Sequence, residues 1–231
     1  MNSHYVKHFF IIQLCVLQLW AGPPMRTNGP FVPNLGQHEI NFALFTQESA
    51  NASSSAHIID FNYGIFPNTQ LTLETAYINS SSGDDMDGLE ASLKWNFLKG
   101  NFFSVAIQPR YLFYPVSTRF QSQPRYQVNI PMNFALTQKI NIIFETRFAY
   151  QTSQGNYKEV GTYLNYILNQ YQFFLEAYYT DPQSNTDYSL ILKTGTLYQF
   201  HKNLALMLSW GKEVHLSQEQ TEVYSGLQWV F

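Results

Sequence analysis

From Gln37 to the last residue, apolar and polar side chains alternate with a period of two, broken at intervals by short polar stretches. Ile40, Phe42 and Leu44 alternate with Glu39, Asn41 and Ala43. Ile59, Phe61, Tyr63 and Ile65 oppose Asp60 and Asn62, and Leu71, Leu73, Thr75 and Tyr77 oppose Glu74. The clearest run sets Leu89, Ala91, Leu93, Trp95 and Phe97 against Glu90, Ser92, Lys94 and Asn96. A period of two is the mark of a strand whose two faces meet different surroundings. Eight further runs of the same kind predict twelve strands. The fifth has Phe103, Val105, Ile107, Tyr111 and Phe113 on the apolar side, and the twelfth is Thr221 to Phe231.

The phase of the charges says what those surroundings are. Glu39, Asp60, Glu74, Glu90, Glu145 and Glu176, with Lys94, Arg110, Arg147 and Lys193, all share one register, and the opposite register is apolar in every strand core. A soluble sandwich would keep its charges on the outer face and its apolar residues within. A membrane barrel does the reverse, because Arg or Lys facing lipid at the midplane costs roughly 2–4 kcal/mol. The connections also alternate. Tight turns at Pro67-Asn68, Lys99–Asn101, Thr137-Gln138, Asn169-Gln170 and His201–Asn203 are interleaved with longer polar stretches, such as Glu48–Ser55 and Pro115–Pro124. Long extracellular loops, short periplasmic turns and an even strand count make an outer-membrane barrel. The expected fold is therefore all-β, a transmembrane antiparallel up-and-down barrel of about 12 strands over residues 37–231. Its last strand should pair with Gln37 to Gln47 and close the sheet. Pro109 and Pro131 fall inside the fifth and sixth strands, where each implies a bulge or a lost ladder bond.

Composition agrees with this picture. Charged residues make up 13% and aromatics 17% of the 231 residues, and mean hydropathy is only −0.21. Soluble domains carry about a quarter charged residues. A net charge of −3 supplies no basic footprint for nucleic acid.

Residues 1–21 are expected to be a secretory signal, with Lys7 ahead of an apolar run from Phe9 to Trp20 that is too short to span a bilayer as a helix. Cys15 lies in that run and is the only cysteine, so the rest of the chain has no disulfide framework. Residues 22–36 are rich in Pro and Gly and are expected to be an extended lead-in, either periplasmic or tucked into the barrel mouth.

The inward register supplies the candidate chemistry. Glu39, Asn41, Asp60, Glu74, Glu90, Lys94, Arg110, Glu145, Arg147, Glu176 and Lys193 are the candidates to line a lumen. They would either steer solutes through a polar pore or pair with one another to hold a filled lumen together. Acidic and basic residues are mixed, without the Arg excess that would mark an anionic solute. No strand core places a histidine beside a serine, and no HExxH or phosphate-cradling loop occurs. Catalytic residues, cofactors and metal ligands are therefore not expected. A rim hydrolase using His57 and His215 is a further alternative.

The segments Pro24–Pro30 (PMRTNGP) and Gly36–Asn41 (GQHEIN) resemble the opening of an outer-membrane transporter family linked to the meta-pathway of phenol degradation. Pro67–Leu71, Asp87–Leu89 and Lys94–Phe97 are similar to its next landmarks. The acidic pair usual in that lead-in is replaced here by Asn28-Gly29. The resemblance implies uptake of small molecules, aromatic or apolar ones among them, and carries no catalytic residue. The expected partners are the outer-membrane lipid bilayer, a small-molecule solute and an outer-membrane assembly machinery that recognises Phe231. A structural or adhesive surface barrel with a plugged lumen is the alternative.

Overall fold

The computed structural model describes residues 26–49, 53–80, 83–113, 125–151, 155–182, 188–214 and 220–231. The expected signal segment lies outside them. Twelve antiparallel strands follow one another in chain order: β1 (His38–Ser49), β2 (Ser53–Phe66), β3 (Thr69–Ser80), β4 (Gly83–Lys99), β5 (Phe103–Phe113), β6 (Arg125–Ala135), β7 (Ile140–Gln151), β8 (Gly155–Leu168), β9 (Tyr171–Pro182), β10 (Ser189–His201), β11 (Leu204–Glu213) and β12 (Gln220–Val230). Each pairs with its sequence neighbours, and β1 pairs with β12, so the sheet is a closed barrel without edges. Ten or more residues per strand are enough to cross a bilayer at a tilt.

Closure follows the expected register. Ile40 faces Trp229, Phe42 faces Leu227 and Ser49 faces Gln220. The terminal residue completes the ladder: the His38 amide donates to the Phe231 carbonyl at 2.8 Å, and the Phe231 amide donates back at 2.9 Å. The His38 ring stacks on Tyr63 and Phe231, with centroids at 4.6 and 5.3 Å. This builds one stretch of an aromatic belt at the turn end of the barrel.

The outer surface is apolar, with Phe42, Leu93, Trp95, Phe148, Leu175, Leu208, Trp210 and Trp229 all exposed. Charges sharing the outward register, Glu48, Lys158, Asp181 and Lys212, lie near the far ends of their strands, where a long side chain reaches the interface. Val105 keeps its outward register but is buried. It faces Leu98 just past a bulge in the β4–β5 ladder between Trp95 and Leu98.

Several segments expected as loops are strand instead. β1 and β2 extend to Ser49 and Ser53, and β3 and β4 to Ser80 and Gly83, so these hairpins stand taller than their polar sequences suggested. Serine and asparagine pair well enough in a ladder once an apolar register has been fixed lower in the same strand. The tight turns are as expected. Asn68 and Asn169 take positive φ (61° and 54°), a conformation that asparagine tolerates better than most residues.

Both prolines interrupt a ladder. The β5–β6 pairing runs from Val105–Met132 to Gln108–Asn129 with the same register on either side, skipping the positions opposite Ile130 and Pro131. The β4–β5 pairing skips Leu93 and Pro109 in the same way. Pro131 therefore costs ladder bonds without a shift, and the one bulge between β4 and β5 lies beyond Pro109.

Candidate functional site: a lumen filled by the lead-in

Twelve strands enclose more room than side chains alone fill at eight strands. Here the extra room is taken by residues 26–36, which thread into the barrel. The lead-in enters at the turn end. There the Gly36 amide donates to the Gly64 carbonyl (2.8 Å) and the Gly64 amide to the Gln37 carbonyl (3.0 Å). Gly36 adopts φ +78° at this entry. A Cβ on Gly64 would lie 2.0 Å from the Asn34 carbonyl oxygen, so the wall has no side chain where the segment passes.

Further in, the segment is held by wall side chains. Asn96 Nδ2 donates to the Pro30 carbonyl (3.1 Å), and Lys94 Nζ to the Phe31 carbonyl (3.4 Å). The Asn28 amide donates to Glu145 Oε2 (2.9 Å). The Thr27 and Arg26 amides donate to the two oxygens of Glu176 (2.7 and 3.2 Å). Arg147 Nη2 donates to the Arg26 carbonyl (3.0 Å), and the Arg26 guanidinium pairs with Glu222. Thr27 is fully buried. A Cβ on Gly161 would stand 1.9 Å from its hydroxyl, so Gly161 is a second gap in the wall shaped to the segment.

The two walls of the lumen differ. Across β7 to β11, Ile143, Tyr163, Phe174, Leu197, Ala205 and Met207 form an apolar cluster inside the barrel, and Phe31 of the lead-in and Tyr224 pack against it. Across β1 to β6 the lining is polar. Asn41 and Asn62 each donate to both Glu39 (2.8 and 3.1 Å) and Asp60 (2.8 and 2.7 Å), while Gln70 and Thr72 donate to Asn62. Toward the far end a ring of ion pairs follows. Arg110 contacts Glu90 and, at 3.7 Å, Glu74, and Arg125 lies 3.7 Å from Glu90. Arg147 pairs with Glu159 (3.0 Å) and Glu145 (3.2 Å), and Lys193 approaches Glu222 at 3.7 Å.

The structure sets all the candidate lining residues in the inward register. Glu39, Asn41, Glu90, Lys94, Glu145, Glu176 and Lys193 are buried, and Asp60, Glu74, Arg110 and Arg147 partly so. Glu145, Arg147, Glu176 and Lys94 meet around the lead-in, whereas Glu74, Glu90 and Arg110 form a separate group. Among the described residues, sequence reasoning missed the inward charges Arg125, Glu159, Glu213 and Glu222. The signal for them was present: Glu159 precedes Val160 and Glu222 precedes Val223, in phase with the rest of their strands. His57 is exposed on the outer face with its ring 6.5 Å from Tyr77, away from any lumen group, and His215 lies outside the described residues.

No family model matches the sequence, and no curated protein matches it. Solved structures do. An outer-membrane channel of the COG4313 group from Pseudomonas putida F1 superposes with TM-score 0.67 at 11% identity, covering 87% of this chain and 97% of that one. The KdgM porin, solved with disordered oligogalacturonate, gives 0.63 at 16% identity over 84% and 99%. The CymD monoaromatic hydrocarbon channel gives 0.51 at 8% identity over 85% and 88%. With its lipid-facing apolar exterior and closed twelve-stranded sheet, the chain has the porin-like β-barrel fold of outer-membrane channels.

Proposed function

We propose that this barrel is a passive outer-membrane channel for small apolar or aromatic molecules, closed at rest by its own residues 26–36. The observation that carries the reading is the apolar strip of Ile143, Tyr163, Phe174, Leu197 and Met207, one residue from each of β7 to β11, running across one wall of the lumen between polar groups on the same strands. A barrel whose interior serves only to hold its wall together needs paired polar groups, not an apolar strip covered by a segment of the chain's own lead-in. Phe31 sits on that strip, where a small aromatic solute would sit once the segment moves aside. The resemblance of residues 24–41 to the phenol-pathway transporters supports the same solute class.

Within the lumen, Gln108 Oε1 on β5, Asn133 Oδ1 on β6 and both amide atoms of Asn165 on β8 are buried without a hydrogen-bond partner within the protein. Such groups suit a path that admits water beside the solute. Glu39, Asn41, Asp60, Glu74, Glu90, Lys94, Arg110, Glu145, Arg147, Glu176 and Lys193 then line this path, and the carboxylates at its centre hold the segment when the channel is closed.

Uptake by whole cells tests this. A Gram-negative host lacking its general porins and expressing the chain should take up a labelled monoaromatic alcohol several-fold faster than the empty-vector host. Its uptake of a hexose should rise less. Equal aromatic uptake with and without the barrel, at verified surface levels, contradicts the channel and favours the plugged structural barrel. That second reading is the one supported by the number of buried carboxylates committed to the lead-in.

A further inference from the structure

The hold on Arg26 differs from the lead-in's other hydrogen bonds to the wall, which are made through its backbone or a neutral amide. Arg26 is held by its cationic head. Its guanidinium pairs with Glu222 Oε1 and lies over the Tyr178 ring, with Cζ 5.4 Å from the centroid. Glu222 and Tyr178 are fully buried, while the Arg26 side chain is 31% exposed. Gln220 Nε2 donates to the same Oε1 at 3.2 Å. Glu222 Oε2 is buried with no hydrogen bond, its nearest charge being Lys193 Nζ at 3.7 Å. The wall therefore offers one carboxylate oxygen already used by a guanidinium, a second with hydrogen-bonding capacity to spare, and an aromatic face beneath. Carboxylate forks and aromatic faces together select guanidinium over ammonium. Arg147 also approaches the Tyr178 ring, at 5.7 Å, but its charge is matched by Glu145 and Glu159.

We infer that Glu222, Tyr178 and Gln220 form a guanidinium-binding site in its own right, occupied at rest by Arg26, for which a guanidinium-bearing solute competes. The site rests on the closed-channel reading only for its consequence, that an occupant displacing Arg26 loosens the lead-in. Its existence is tested by binding alone.

Arginine amide titrated calorimetrically into the full-length Arg26→Ala protein should show one saturable site, with folding in detergent verified by heat-modifiable migration. Arg26→Gln serves the same comparison if Arg26→Ala does not fold. The wild-type chain should bind about tenfold or more weakly, because Arg26 competes at the high effective concentration of a tethered ligand. Citrulline amide has the same shape with a neutral urea head, and it should bind the Arg26→Ala protein about tenfold or more weakly than arginine amide, as loss of a charge-assisted pair predicts. Adding Glu222→Gln to Arg26→Ala should remove the preference for the charged ligand. Absence of saturable binding to the folded variant overturns the inference, as does equal binding of the citrulline ligand or equal binding by the wild-type chain. Saturable binding in a barrel that passes no solute in any variant would contradict the channel and leave this site standing.

Discussion

Arg147 shows how tightly single residues tie the lumen together. It bonds to Glu145, Glu159, the Tyr178 hydroxyl (2.9 Å) and the Arg26 carbonyl. Arg147→Ala would strand two carboxylates that are largely shielded from water. Breaking such a pair costs roughly 3–5 kcal/mol. Urea unfolding of the barrel in lipid vesicles should show a loss of that order, and a loss under about 1 kcal/mol would mean the lumen is wetter than this packing implies. On the lipid side, Leu208→Arg near the middle of β11 should cost about 2–4 kcal/mol by the same measurement. Residue identity was readable in sequence wherever alternation fixed the phase, as at Glu90 between Leu89 and Ala91. It was fainter at Arg125, Glu159 and Glu222, which sit where a strand emerges from a polar stretch, so that only the following residues Tyr126, Val160 and Val223 carry the phase. Pairing with Gln151, Arg147 and Gly211 places them in the same register.

Strands, by contrast, were largely legible, because lipid on one side imposes an apolar register that turns cannot mimic. The closing pair β1–β12 was legible for the same reason. Phe231 exchanges two backbone bonds with His38 and stacks at 5.3 Å on its ring. Deleting Phe231 should lower the amount of heat-modifiable barrel at the cell surface while leaving periplasmic export unchanged. Equal surface levels would remove any role for this residue in assembly. Strand ends were less legible, since the serine-rich tips of β2 and β3 carry no apolar signal yet remain paired up to Ser54–Ser80. The prolines were legible as a disturbance but not as its form. Pairing resumes in register beyond Pro131, so the barrel absorbs it as missing bonds. Pro131→Ala supplies an amide facing that gap. It should raise stability by about 0.5–1.5 kcal/mol, the ordinary net worth of one hydrogen bond. Unchanged stability, with fast exchange of the new amide, would mean the strands are held apart there by something other than the ring.

At the scale of the molecule, the barrel is a wall with a segment of its own chain inside it. Nothing in the composition of residues 26–36 announced this. The contacts that define it join residues well over a hundred positions apart, such as Thr27 with Glu176, and depend on wall glycines whose significance appears only when the segment is beside them. The sequence left two places for the lead-in, periplasm or barrel mouth, and the structure carries it deeper than either, to Glu176 and Glu222. If this segment closes a channel that otherwise conducts, loosening its seat in the wall must open the barrel. Gly161→Ala tests it most directly, because the added methyl displaces Thr27 without removing a strand bond. In planar bilayers the wild-type protein should show rare, small openings and the Gly161→Ala protein sustained conductance several-fold larger. A folded Gly161→Ala barrel as silent as the wild type would contradict the account.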